Sequence, residues 1–149
     1  MSAYPELQTA IIPTRPNFRP SSLHDVACQG PDSSSFFAAV REFMDEFYSQ
    51  LDHVKRSEML QLEPAWLPDP RLNAYVAAIA EHLGLRYRLP VPDWSGAEIR
   101  FLKSPWFPAG LESLKALAIV ESPTAFRRRL IFVDSDPLYR PRRDKVGIG

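Results

Sequence analysis

The sequence predicts a mainly α-helical fold, a compact bundle of about five or six helices joined by Pro/Trp-rich loops behind a flexible N-terminal tail. Apolar residues recur at the helical period in several separate stretches. The 15 prolines, against only 6 glycines, stand between those stretches, where proline stops one helix or opens the next. No strand–helix alternation is present, which argues against a Rossmann-type or barrel enzyme.

Residues 1–33 are rich in proline, serine and threonine, and Pro5, Pro13, Pro16, Pro20 and Pro31 divide them into short pieces. This composition predicts a flexible tail, with 23–27 able to form at most a turn of helix. Residues 34–149 then make one helical domain.

The clearest helix covers 35–51. Phe36, Phe37, Val40, Phe43, Met44, Phe47, Tyr48 and Leu51 form one continuous stripe, and Arg41, Glu42, Asp45 and Glu46 take the opposite side. A serine run supplies its N-cap. A weaker pattern over 52–62, with Val54, Met59, Leu60 and Leu62, predicts a second helix that Glu63-Pro64 ends. Asp69 as cap and Pro70 at the first helical position open a third, with Leu72, Tyr75, Val76, Ile79 and Leu83 as its buried stripe. Ala74, Ala77, Ala78 and Ala80 allow close helix approach, and Gly84 suits the position just past the helix end.

Pro90, Pro92, Pro105 and Pro108 interrupt 85–110, leaving room for a short helix at 97–103. A helix at 111–121 is expected to bury Leu111, Leu114, Leu117, Ala118 and Ile119. Ser122-Pro123 reads as cap and first position of a short helix through Arg128. Residues 130–133 read as an extended segment packed on the domain, 134–137 as a turn, and 140–149 as a frayed tail.

Lys plus Arg equals Asp plus Glu, 18 against 18, so no global charge draws the chain to nucleic acid or acidic lipid. The single cysteine, Cys28, excludes an intrachain disulfide and suits a reducing compartment; its plain reading is a spare thiol in a loose segment. The first residues lack the cationic-then-apolar pattern of a signal peptide, and apolar runs such as 116–120 are far too short to span a bilayer. A cytoplasmic location is expected, with no membrane partner. His24, His53 and His82 show no metal-ligand spacing, and no nucleophile elbow, phosphate loop or Cys–His motif is present. No catalytic, cofactor-binding or metal-binding residue, and no cofactor, is therefore expected.

Trp66, Trp94 and Trp106 each lie within two residues of a proline. Such rings either pin irregular loops to the core or present a rigid aromatic surface to a partner. Arg127, Arg128 and Arg129 follow Phe126, and Arg140, Arg142 and Arg143 extend the basic character. Consecutive arginines on a helix diverge, so they read either as a solvated, ion-paired face or as a site for a polyanion or an acidic protein surface. Trp66, Trp94, Trp106, Arg127, Arg128 and Arg129 are the candidate partner-binding residues.

One resemblance adds to this reading. Asp69-Pro70-Arg71-Leu72 through Ala80-Glu81-His82-Leu83, then Leu89-Pro90-Val91-Pro92-Asp93-Trp94, Arg100-Phe101-Leu102, Pro105-Trp106-Phe107-Pro108, Leu111 to Leu114, and Glu121-Ser122-Pro123-Thr124-Ala125-Phe126 with its arginines and Ile131-Phe132-Val133 follow in order. Over 34–138 the chain resembles a bacterial domain of unassigned activity, similar to the C-terminal half of some helix-turn-helix proteins of the antitoxin or regulator kind. The resemblance implies a non-catalytic module, an antitoxin-like component that binds and masks a partner protein such as a neighbouring gene's product. Residues 1–33 are too short and proline-rich for a helix-turn-helix, which weakens DNA binding by that route. The alternative is a nucleic-acid-associated transcriptional regulator using the C-terminal arginines. An enzyme with an unfamiliar motif is the third.

Overall fold

The computed structural model describes residues 19–141. Six α-helices follow in order: α1 (Leu23–Gln29), α2 (Ser33–Ser49), α3 (His53–Gln61), α4 (Pro70–Tyr87), α5 (Lys115–Glu121) and α6 (Thr124–Arg127). Three 3₁₀ turns, Asp93–Gly96, Glu98–Arg100 and Glu112–Leu114, occupy the proline-rich stretch between α4 and α5. Among the described residues there is no strand, and Trp106 and Ile131 form one parallel bridge. No described helix is long and apolar enough to cross a membrane.

The chain is thus mainly helical, but the boundary expected at residue 33 does not hold. Ser22 caps α1 by accepting from the Asp25 amide at 3.1 Å, and Leu23, Val26 and Ala27 are buried against α2 and α3. Leu23 and Val26 lie three residues apart, a spacing too short for a periodic signal yet enough to fill one gap in a core. Gly30 then permits a close turn, since a Cβ there would meet the Phe36 backbone at 2.5 Å. The expected tail over 1–18 and the outer part of the C-terminal tail, 142–149, lie outside the described residues.

The α2 stripe is the core of the bundle, with Phe36, Val40, Phe43, Met44 and Phe47 buried. Its cap is Asp32 rather than the serines alone. The Asp32 carboxylate accepts from the Ser35 amide at 3.0 Å, and the Ser35 hydroxyl faces the Asp32 amide at 3.3 Å, a reciprocal capping box. Leu51 lies past the helix end and is exposed, as are Val54 and Leu62 around α3.

Helix α4 runs through the centre, capped by Asp69, which accepts from the Arg71 amide at 2.9 Å. It buries residues on every side, Asn73 to Ala80 without a break, because α2, α6 and the 3₁₀ turns surround it. The helix passes through Gly84 and ends at Arg88, in the left-handed conformation with φ 59°. Gly84 is needed for contact rather than termination: a Cβ there would meet Val91 Cγ2 at 2.8 Å. The expected helix at 97–103 is reduced to the turn Glu98–Arg100, and Lys103 and Ser104 lead instead into Pro105.

Candidate functional site

The three tryptophans separate into different environments. Trp106 is partly buried against Tyr75 and Phe37, with ring centroids 6.1 and 6.5 Å away. Its amide donates to the Leu130 carbonyl and its carbonyl accepts from the Phe132 amide, both at 2.9 Å. Leu130 takes φ 63° to make this possible, turning the chain sharply after α6. Trp94 Nε1 donates to the Leu60 carbonyl at 3.1 Å, tying the loop after α4 to α3. Both rings pin loops to the core. Trp66 is 49% exposed, and its ring lies 4.1 Å from the guanidinium carbon of Arg100, with Trp94 on the same group at 4.7 Å.

Arg100, which is not among the candidate partner-binding residues read from the sequence, is fully buried. It donates to the carbonyls of Asn73 at 3.2 Å and Pro64 at 3.1 Å, and to Glu63 Oε2 at 3.3 Å. Burial pulls its guanidinium below the ordinary range, and Glu63 opposes that pull. Asn73, also buried, accepts from the Leu67 amide at 2.8 Å and donates to the Leu67 carbonyl at 2.9 Å. One asparagine thereby holds the 62–69 loop in the register that lays Trp66 over Arg100.

The three consecutive arginines do not form a patch. Arg127 Nη2 donates to the Ser122 carbonyl at 2.6 Å and to the Val120 carbonyl at 3.3 Å, closing the end of α5. Arg128 is exposed, 3.5 Å from Glu81 and 5.2 Å over Phe101. Arg129 has no exposed surface, so it cannot be a partner-binding residue on this face. It donates to Glu81 and to the carbonyls of Ala125 and Ser95. Desolvation lowers its proton affinity, and Glu81 is the main opposing influence. Arg140 pairs with Asp45 at 2.9 Å. Arg142 and Arg143 lie outside the described residues.

The largest departure from the sequence reading is the segment 111–121. It was expected to bury a leucine-rich face, yet none of its residues is buried. Leu111, Leu114, Leu117, Ile119 and Val120 are between 45% and 73% exposed. Ser122 does not cap the next helix. Its hydroxyl donates to the Ala118 carbonyl at 2.6 Å or to the Val133 carbonyl at 3.0 Å, and accepts from the Val133 amide at 2.8 Å, clamping the base of the arm. Phe107, stacked on Phe132 at 5.2 Å and covered by the Lys115 ammonium at 5.0 Å, supports the other side of that base. Gly110, with φ 69°, turns the chain from Phe107 into the arm.

Just before the arm lies a groove of about 700 Å³. Phe101, Leu102, Ile99 and Trp106 give it apolar walls; Arg71, Lys103 and Glu98 supply charge. Arg71 is held by Asp69 at 2.9 Å and lies 5.1 Å over the Trp106 ring. Lys103 and Glu98 have no ion-pair partner among the described residues. Cavities of this size and lining are typical of binding sites.

Two further groups were read differently in the sequence. His24 and Cys28, four residues apart on α1, come within 3.6 Å, and His24 Nδ1 is 3.2 Å from the Glu63 carbonyl. The i, i+4 spacing carried that signal once 23–29 was known to be helical. Among the described residues no three His, Cys, Asp or Glu side chains are grouped to hold a metal.

Set beside protein-family models, curated proteins and solved structures, the chain matches none.

Proposed function

We propose that this chain is a non-catalytic protein-binding module and that its docking surface is the 111–121 arm with the adjoining groove. The observation that carries this reading is the arm itself: five large apolar side chains, none buried, on one short continuous segment. Scattered apolar residues on a surface are ordinary, but a contiguous apolar patch marks a contact site. The finer form of the proposal, an antitoxin-like component that covers a partner enzyme, rests on the resemblance over 34–138. Nucleic-acid binding through the C-terminal arginines is the weaker reading, since Arg129 is buried and Arg127 and Arg140 are occupied within the chain.

The test is capture by the tagged chain with and without Leu117→Asp and Val120→Asp. Both positions are exposed, so the fold should survive. Loss of a captured protein with an unchanged melt supports the reading. Unchanged capture removes the arm from it. Salt-dependent binding to duplex DNA, abolished by Arg128→Ala, would favour the alternative.

A further inference from the structure

The arm has an unusual composition for an exposed helix. Within α5, Ala116, Leu117, Ala118, Ile119 and Val120 are consecutive, so apolar side chains point in every direction around the axis. A helix apolar all round is normally a buried one, and a helix this short has little stability of its own in water. Something must cover it. The same chain carries a groove walled by Ile99, Phe101, Leu102 and Trp106, whose Ile99 is itself largely exposed. Charge matches as well. The groove presents Lys103 and Glu98, neither with an ion-pair partner among the described residues. The arm presents Glu121, with no ion-pair partner among the described residues, and Lys115, whose ammonium lies over the Phe107 ring at 5.0 Å and pairs with exposed Glu112 at 3.2 Å.

We infer that the occupant is a second copy of this chain, the arm of each copy lying in the groove of the other about a two-fold axis, with Glu121 toward Lys103 and Lys115 toward Glu98. An isologous contact of this kind needs one self-complementary surface, and arm plus groove supply it. Reciprocity also answers the question of size. A stable interface buries about 1,200–2,000 Å² in total, and a two-fold contact doubles the area that one arm in one groove would bury. The inference rests on the protein-binding reading of the arm and names what covers it in the isolated protein.

Sedimentation equilibrium of the full chain at micromolar concentrations tests it. A dimer is expected. Leu117→Asp in the arm and Ile99→Asp in the groove, both at exposed positions, should each raise the dissociation constant at least about tenfold without moving the melt. Mixing the two variants should recover only part of the association, because one contact then joins an intact arm to an intact groove while the other carries both substitutions. Lys103→Glu should weaken the dimer, and adding Glu121→Lys should recover it. A monomer throughout, or a dimer indifferent to both Asp substitutions, overturns the inference. If the monomer nevertheless loses a captured protein on Leu117→Asp, only the second copy is overturned and the protein-binding reading stands. If neither association nor capture depends on the arm, both fall.

Discussion

Arg129, with no exposed surface, donates through Nη1 to Oε1 of Glu81 at 2.5 Å, and this pair joins the turn after α6 to the C-terminal half of α4. The guanidinium also donates to the Ala125 and Ser95 carbonyls while its buried Nε has no partner, and the Phe101 ring lies 4.3 Å away. Removing one partner strands the other charge in a poorly solvated place. Arg129→Met should therefore cost about 3 kcal/mol, the low end for a buried pair because Arg128 still faces Glu81. Arg129→Met with Glu81→Leu should recover most of that loss. Urea unfolding of the single and double variants checks both statements.

Leu23→Ala should destabilise the protein by about 2–4 kcal/mol, since its side chain is fully buried among helices. For the same reason, deleting 1–33 should lower the melting temperature sharply. A dispensable tail would instead leave both measurements nearly unchanged.

Phe43→Ala should cost about 3–5 kcal/mol, because Phe43 lies mid-stripe in α2 with no exposed surface. A loss under about 1 kcal/mol in denaturant unfolding would mean that the stripe does not form the core.

Trp66 and Trp106 should part company. Trp106→Ala empties a position packed on Tyr75 and Phe37 and should cost about 2–4 kcal/mol. Trp66→Ala uncovers Arg100 but removes a half-exposed ring, and should cost about 1–2 kcal/mol. Melting of the two variants side by side decides whether their order is as stated.

His82 should make stability fall in mild acid. Burial, with Arg86 nearby, holds its imidazole below the ordinary 6.5, while Asp136 opposes this more weakly. The unfolded chain then binds the proton more readily than the folded one. Stability is full above 6.5 and declines as pH falls through 6.5 toward the lower folded value. His82→Phe should flatten that part of the profile, measured as denaturation midpoint against pH.

Local patterns alone placed α2 and α4. Eight apolar residues at helical spacing and the Asp69-Pro70 start are properties of short stretches of chain, set by the helical period and by proline's missing amide. Helix α1 was legible only as a turn at 23–27 because seven residues carry too little periodicity, and what orders them is the α2 and α3 surface they cover. The arginines show the limit most clearly. Arg127, Arg128 and Arg129 are identical in type and adjacent, yet one closes α5, one is exposed and one is buried on Glu81, because α6 ends at Arg127 and the turn that follows sends each side chain to different neighbours. The arm shows it from the other side. Its apolar residues predicted a helix over 111–121, of which only Lys115–Glu121 is α-helical, and apolar pattern cannot tell which surface will cover it; only the tertiary arrangement decided that this chain's own core does not.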